Sequence, residues 1–286
     1  MRLMRTGQAG HERPAVEVDG RVLDVSAHVQ DYDGAFFADG GVERLRGVVG
    51  GDGSGLPEVD VAVERVGSCI ARPGKLLGIG LNYADHAAEA GQPTPEEPLV
   101  FGKATNTVVG PYDTVLLPPG AAKVDYEVEL GVVIGRTCRY LPDEDAAAAA
   151  VAGYCISNDV SERAYQFERG GQFIKGKSCE TFNPLGPWLV TPDELGDPHA
   201  LGMTLAVNDA VRQDGSTADM IFGVPHIVWH LSQFMVLEPG DLITTGTPAG
   251  VAFGMAEPVY LADGDVMELT IEGLGRQRSA CRRAVA

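Results

Sequence analysis

The sequence has few basic residues and no long hydrophobic run. Of its 286 residues, 22 are Lys or Arg and 40 are Asp or Glu, which gives a formal net charge of −18. A surface that binds nucleic acid needs clustered cations, so we expect no nucleic-acid partner. No segment approaches the roughly 18 consecutive apolar residues that cross a bilayer, so we expect no membrane partner.

Cysteine is also scarce, and the five cysteines are widely spaced: Cys69, Cys138, Cys155, Cys179 and Cys281. An odd number without a CxxC pair does not fit a disulfide scaffold or a cysteine metal site. The first residues, Met-Arg-Leu-Met-Arg-Thr-Gly, lack the apolar stretch of a signal peptide. We therefore expect reduced thiols in a cytoplasmic protein.

Glycine and proline are abundant, with 37 and 18 residues, and they divide the chain into many short elements. The length predicts about two domains, or one large domain with an appendage. We place a small N-terminal domain at 1–70, where Asp19-Gly20 predicts a hairpin, and a larger domain at 71–286 after the turn at 71–74.

In the larger domain, predicted strands outnumber predicted helices and do not alternate with them regularly, which predicts an α+β, β-rich fold and disfavours TIM barrels and doubly wound sheets. Helices are predicted at 81–91, 143–151 and 225–235. Strands are predicted at 75–80, 125–134, 185–190, 202–207, 241–245, 266–271 and 276–281. The proline-rich segment 92–98 is predicted to be a loop.

The strand at 125–134 carries two acidic residues, Glu127 and Glu129, on one face because side chains alternate along a strand. On a solvated face the pair would be unremarkable. However, the following residues are apolar on both faces, which predicts a strand that enters the interior, where unpaired charge is unfavourable. A hard cation such as Mg²⁺ or Ca²⁺, which takes oxygen ligands, would resolve that conflict.

A third carboxylate follows the polar end of another predicted strand, in Ser157-Asn158-Asp159. Asp159 could be the third oxygen ligand of a cation. It could equally be the N-cap of the following helix. The segment alone leaves both interpretations open.

Three further polar residues lie downstream. Arg163 and Gln166 are spaced i, i+3 and can share a helical face. Arginine is the usual bidentate partner of a carboxylate. Lys177 lies in a glycine-rich segment, predicted to be a loop at 170–179, which could direct an ammonium group at a developing oxyanion.

His86 and Glu89 are also spaced i, i+3, on the predicted helix before the proline-rich loop. A carboxylate that orients a histidine makes it a better general base. Surface helices often carry such a pair without any function, so the spacing by itself leaves both interpretations open.

The order of these segments resembles the fumarylacetoacetate hydrolase family over residues 75–284. The resemblance rests on five motifs: Gly-Leu-Asn-Tyr-Ala-Asp-His at 80–86 followed by Glu89, Glu-Val-Glu-Leu-Gly at 127–131, Ser-Asn-Asp-Val-Ser-Glu-Arg at 157–163, Gly-Lys-Ser at 176–178 with Thr-Phe at 181–182, and Thr-Thr-Gly-Thr-Pro-Ala-Gly-Val at 244–251. It implies a mixed β-sandwich roll with a small N-terminal domain, and a homodimer, for which the helix at 225–235 is a candidate contact.

The resemblance also implies a site. Its metal would be Mg²⁺ or Mn²⁺, with Ca²⁺ a candidate in crystals, bound by Glu127, Glu129 and Asp159. A lid would carry the His86–Glu89 dyad. These two residues would be catalytic, as would Lys177 beside the substrate. The substrate would lie among Arg163, Gln166 and Thr247.

The implied reaction is hydrolysis of a carbon–carbon bond in a small β-diketo acid, such as an acylpyruvate or a 2,4-diketo-3-deoxy sugar acid. Residues 1–70, with the Gly-x-x-Gly turn at 7–10, resemble bacterial members that act on such sugar acids or carry the name ureidoglycolate lyase. Alternatives on the same site are oxaloacetate-type decarboxylation, keto–enol isomerisation and ureidoglycolate lysis. A non-enzymatic alternative is a β-protein that binds a divalent cation.

Overall fold

The computed structural model describes residues 1–285. Its strands are β1 (Arg2–Thr6), β2 (Arg13–Val18), β3 (Arg21–Asp24), β4 (Leu76–Gly80), β5 (Leu99–Lys103), β6 (Val108–Val109), β7 (Val115–Leu117), β8 (Val124–Asp125), β9 (Val128–Ile134), β10 (Val151–Asn158), β11 (Ser161–Glu162), β12 (Asn183–Pro184), β13 (Leu189–Val190), β14 (Gly202–Val207), β15 (Ala210–Ser216), β16 (Leu242–Thr244), β17 (Val266–Ile271) and β18 (Gly275–Arg283).

The helices are short, and short 3₁₀ turns lie at Thr105–Thr107, Thr217–Asp219 and Ala252–Gly254. The α-helices are α1 (Gly34–Ala38), α2 (Gly41–Val49), α3 (Ala84–Glu89), α4 (Glu144–Ala148), α5 (Arg163–Phe167), α6 (Phe173–Lys177), α7 (Pro192–Leu195) and α8 (Val224–Phe234). Within residues 1–285, none of them has the length and apolar character needed to cross a membrane.

Two mixed sheets form the body of the fold, as the β-rich prediction required. The larger has nine strands in the order β3-β2-β1-β13-β10-β9-β16-β4-β5, and the smaller has five in the order β15-β14-β17-β18-β7. The main hydrophobic core lies between them and includes alternate residues of β9, such as Leu130 and Val132, with Leu205 and Leu269 of the smaller sheet. On the opposite face of the larger sheet, Val133 joins a second core.

Several predicted elements are confirmed. β2 and β3 form the hairpin around Asp19-Gly20, where both residues have positive φ. β17 pairs with β18 as an antiparallel hairpin. The helix predicted at 225–235 is α8.

The continuous strand predicted at 125–134 is wrong in detail, because the chain changes partners at Tyr126 and Glu127. β8 pairs with β11, whereas β9 pairs with β10. The predicted lysine loop contains the helical turn α6. The strand predicted at 185–190 is reduced to β13, since Pro187 has no backbone N–H to donate to a ladder.

The domain boundary at residue 70 stays a prediction. The structure adds that the N-terminal segment and the larger domain share one sheet, because β1 pairs with β13. The second core likewise combines Leu3 and Phe36 of the N-terminal segment with Val133 and Leu242.

The side chain of Gln277 connects the two sheets. It is fully buried in β18, and its Nε2 donates to the carbonyl oxygens of Ile156, Pro184 and Gly186 at 2.9, 3.2 and 3.0 Å. We predict that Gln277→Met lowers the free energy of unfolding by about 1–3 kcal/mol, because buried acceptors lose their donor. Urea unfolding measures this change.

The control for this prediction is the neighbouring exposed residue, Arg278, whose Nε donates to Glu268 at 3.0 Å on the surface. Arg278→Met should change stability by no more than about 1 kcal/mol, since exposed ion pairs contribute little. Equal losses in the two variants would contradict a structural role for the Gln277 amide.

Candidate active site

Three carboxylates converge where β9 begins and β10 ends. Glu129 lies in β9 opposite Ser157 of β10, and the Asp159 N–H donates to the Glu127 carbonyl at 3.0 Å. One oxygen of each carboxylate, Glu127, Glu129 and Asp159, lies within 4.8 Å of the others, and all three residues are buried. The antiparallel pairing of two apolar strands therefore brings together the acidic residues that the sequence motifs predicted.

Asp159 does not cap the following helix. That position belongs to Glu162, whose carboxylate accepts the Tyr165 N–H at 2.6 Å. The Asp159 carboxylate instead accepts hydrogen bonds from two buried lysines, Lys103 and Lys177. Of the two interpretations left open by the sequence, the structure removes the N-cap.

Buried cations surround the acidic cluster. The Lys177 ammonium bridges Glu127 and Asp159, at 2.7 Å from an oxygen of each. The Arg163 guanidinium donates from Nη2 to Glu127 at 2.7 Å and from Nε to Asp125 at 2.9 Å. Glu129 differs from its neighbours, because it accepts from the backbone N–H of Gly246 at 2.7 Å and has no salt bridge to a lysine or arginine of the described chain.

This asymmetry separates the two glutamates in their protonation. Burial acts to raise the pKa of Glu127, but Lys177 and Arg163 outweigh it and hold the pKa at about 2. Burial raises the pKa of Glu129 well above its ordinary value, and the charges of Asp159 and Glu127 add to the rise. Glu129 is therefore the member of the cluster that most lacks a cation.

The cluster fits a hard divalent cation. Its donors are all carboxylate oxygens, the set that Mg²⁺ and Mn²⁺ accept. A cation would also compensate the charge of Glu129, which burial and its neighbours disfavour. The donor set and the electrostatics thus agree with the metal that the resemblance implied.

Two short helical turns, α5 and α6, supply Arg163 and Lys177. They pack closely at Gly176, where a Cβ would lie 2.5 Å from the Glu162 carbonyl oxygen and 2.7 Å from Gln166 Cβ. Arg163 Nη1 donates to Gln166 Oε1 at 3.1 Å, which leaves the Gln166 amide NH₂ available as a donor. The i, i+3 pair predicted from sequence is therefore a direct contact.

The predicted dyad lies on α3. His86 Nδ1 is buried without a hydrogen-bond partner, and Glu89 Oε2 is 3.6 Å from it, longer than a hydrogen bond. The Glu89 carboxylate instead accepts the Gly250 N–H at 3.0 Å and packs against Gly254, where a side chain would leave it no room. Glu89 thus fixes α3 to the loop at 246–254.

Thr247 lies in that loop, and its hydroxyl is engaged within the protein. It donates to the Val128 carbonyl at 2.8 Å and accepts from Gln213 Nε2 at 2.7 Å. These bonds attach the loop to β9 beside the acidic cluster.

A cavity of about 340 Å³ opens over the cluster. All the predicted site residues except Glu89 and Asp159 line it. The lining residues are Ile79, Gly80, Leu81, His86, Ala90, Gln92, Leu99, Phe101, Glu127, Glu129, Arg163, Gln166, Phe167, Phe173, Lys177, Gly246, Thr247 and Phe253.

Sequence reasoning missed two charged residues of the site. Asp125 accepts hydrogen bonds from Arg163 and from the backbone N–H groups of Ala252 and Phe253, at 2.9 and 3.0 Å. Asp125 could have been found from the sequence, because it is spaced two residues from Glu127 in the alternation Asp125-x-Glu127-x-Glu129. Lys103 also donates to the Phe182 carbonyl at 2.7 Å, and a lysine that ends the apolar strand β5 was its signal.

Comparison with known proteins agrees with this geometry. Residues 75–282 match the family described as fumarylacetoacetate (FAA) hydrolase C-terminal. A Burkholderia multivorans protein named only as a hydrolase is 51% identical over 99% of this chain and 100% of its own length. The chain belongs to the fumarylacetoacetate hydrolase family and is an enzyme of the hydrolase type.

Solved structures of similar chains share the whole fold. The fumarylacetoacetate hydrolase of Exiguobacterium antarcticum is 36% identical with a TM-score of 0.84, over 99% of this chain and 100% of that one. A maleylpyruvate hydrolase from Sphingobium sp. SYK-6, in complex with manganese(II) and pyruvate, is 29% identical with a TM-score of 0.82. A 2-hydroxyhepta-2,4-diene-1,7-dioate isomerase from Mycobacterium marinum is 33% identical with a TM-score of 0.78. The last two comparisons cover 100% of both chains.

The raised pKa of Glu129 predicts a pH-dependent effect of Glu129→Gln on the metal-free protein. A carboxyl whose pKa is higher in the folded than in the unfolded state loses stabilisation as the pH rises from its ordinary value of 4.5 toward the folded value. The glutamine variant lacks this loss and can still accept the Gly246 N–H. Its Tm relative to the unmodified protein should therefore increase with pH across that window.

Thermal unfolding in chelator between pH 4 and pH 8 measures the difference. Glu268→Gln is the control, because Glu268 is paired with Arg276 and Arg278 on the surface, and these arginines lower its pKa. A Tm difference for Glu129→Gln that does not change with pH would contradict the prediction.

Proposed function

We propose that this enzyme is a divalent-metal-dependent hydrolase that cleaves the carbon–carbon bond of an acylpyruvate. The observation that carries the proposal is the buried acidic cluster, whose Glu127 and Glu129 open into a cavity that Arg163, Lys177 and His86 also line. The manganese and pyruvate bound to the related maleylpyruvate hydrolase support this type of site.

The polar end of the cavity suits the 2-oxo acid end of the substrate. A bound divalent ion would supply positive charge that stabilises the negative charge developing on the departing pyruvate part. The Gln166 amide NH₂ can donate to the substrate carboxylate, because Arg163 holds its oxygen. Arg163 itself retains donors, since three of its five N–H groups are engaged.

His86 is the candidate general base. It takes a proton from water as the water oxygen bonds to the acyl carbonyl carbon. The third N–H of Lys177, which its two carboxylate partners leave free, can donate to the oxygen of that carbonyl. The carbon–carbon bond then breaks, its electron pair passes to the methylene carbon of the pyruvate part, and that carbon takes the proton from His86. The products are a carboxylic acid and pyruvate.

The first test is turnover of acetylpyruvate by the purified protein with Mg²⁺ or Mn²⁺. We expect metal-dependent loss of the diketone absorbance and formation of equimolar acetate and pyruvate, because Glu129 has no cationic partner among the described residues and a divalent ion would supply one. Excess chelator should abolish the activity, and added metal should restore it. Metal binding without turnover of any acylpyruvate would contradict the proposal.

The second test concerns His86. His86→Gln should lower kcat/KM for diketone hydrolysis by about 10²–10⁴-fold, the usual loss when a general base is removed. Metal affinity, measured by calorimetry, should not change, since His86 is not among the three clustered ligands. Decarboxylation of oxaloacetate, which needs no attacking water, should be affected much less.

Glu89→Gln is the matched variant for this test, and we expect a smaller loss in the same direction because it removes a charge near the ring. Equal losses in hydrolysis and decarboxylation after His86→Gln would assign His86 to substrate binding or lid closure, and its role as a base would be wrong.

A further inference from the structure

The two helical turns beside the acidic cluster have mirrored sequences. α5 carries Arg163 and, four residues later, Phe167, whereas α6 carries Phe173 and, four residues later, Lys177. Residues spaced i, i+4 lie on one face of a helix. Because both pairs line the cavity, each turn presents a buried cation at the acidic end and a phenylalanine toward the other end.

These phenylalanines belong to a continuous arc of four rings, which we call the aromatic arc: Phe101, Phe173, Phe167 and Phe253. Successive ring centroids are 5.8, 5.5 and 5.1 Å apart. Such distances are typical of contacting aromatic side chains. Phe167 and Phe253 are 42% and 40% exposed, so part of the arc is solvent-exposed apolar surface.

The two ends of the aromatic arc meet the polar site. The Lys177 ammonium lies 5.0 Å from the Phe101 ring centroid, and the Arg163 guanidinium lies 5.7 Å from that of Phe253. The Phe253 N–H donates to Asp125, which also accepts from Arg163. A substrate carboxylate bound at the cations would therefore lie beside the rings, and the rest of the substrate can extend along them.

The charges of the site leave no cation for a second substrate carboxylate. Arg163 and Lys177 are the only lysine or arginine side chains among the described residues that line the cavity, and both are bound to buried carboxylates. The carboxylates that pair with these two cations are Asp125, Glu127 and Asp159, and Asp159 also pairs with the buried Lys103. A second substrate carboxylate would therefore meet buried acidic residues and cations that are already paired.

We propose that the aromatic arc binds the acyl group of the substrate and selects a neutral, apolar and preferably planar group, such as an aroyl group, over one that carries a second carboxylate or several hydroxyls. This inference rests on the proposed function. It separates this chain from the related isomerase, which is named for a dioate, and it disfavours the sugar acids among the expected substrates. Burying a charge or hydroxyl against rings without a partner is unfavourable.

The kinetic test compares benzoylpyruvate, acetylpyruvate and fumarylpyruvate with the Mg²⁺-loaded enzyme. We expect kcat/KM for benzoylpyruvate to exceed that for each of the other two by about tenfold or more, since even one methylene in an apolar pocket changes kcat/KM by about 10-fold or more. A preference for fumarylpyruvate, or equal values for all three, would overturn the inference and leave the proposed hydrolase intact.

Variants locate the preference in the aromatic arc. Phe253→Ala should lower the benzoyl-to-acetyl ratio of kcat/KM by about tenfold. Phe167→Arg places a cation on the exposed part of the aromatic arc. It should lower the benzoyl-to-fumaryl ratio of kcat/KM by about tenfold or reverse it. Ile174→Ala is the control, because Ile174 is 49% exposed on α6 but does not line the cavity. Unchanged ratios in both phenylalanine variants would contradict the assignment.

A binding test does not depend on turnover. 2-Oxo-4-phenylbutanoate and 2-oxoadipate have the same 2-oxo acid end, lack the cleavable diketone and differ in the distal group. Calorimetry with the Mn²⁺-loaded protein should give a Kd about tenfold or more lower for the phenyl compound. If this preference is found but no acylpyruvate is hydrolysed, the proposed function is wrong and the aromatic arc remains an apolar ligand site. If neither is found, both are wrong.

Discussion

The Lys177 ammonium, held between Glu127 and Asp159 at 2.7 Å from each, is the interaction on which the rest of the site depends. Its carboxylates are buried, and charges in a protein interior are tolerated only when they are paired and hydrogen-bonded. Removing one partner of such a pair typically lowers stability by about 3–5 kcal/mol. Together with Arg163, Lys177 also accounts for the low pKa of Glu127. Glu129, which lacks a comparable partner, is left as the residue that favours an added cation.

The fold satisfies this constraint by placing polar residues where apolar strands end. β9 and β10 run through the cores, and the carboxylates lie only at the end of their shared ladder. The close contact at Gly176 then brings α6 against α5, so that Lys177 and Arg163 reach the same glutamate from two helical turns. The loop at 246–254 completes the site by bonding to β9 through Thr247 and to α3 through Glu89.

Much of this arrangement could be predicted from the sequence, because it follows from local rules. Alternation along the strand placed Glu127 and Glu129 on one face, and the motif order assigned Asp159 to the same cluster. The break at Tyr126 and Glu127 could not be predicted, since it results from a change of strand partner between distant segments. Local spacing likewise gave no sign that Glu89 bonds to the backbone of Gly250 instead of His86. The aromatic arc was also missed, because its four rings come from three separate parts of the chain.

The pairing of β1 with β13 has a consequence for how the chain can be divided. A chain that began after residue 70 would leave β13, two residues long, as the edge of the sheet. It would also uncover Val133 and Leu242, which pack against the N-terminal segment on one face of that sheet. Exposed strand edges beside apolar surface favour association with other chains. The N-terminal segment therefore acts as a covalently attached cover over one edge and one apolar face of the sheet that carries the site.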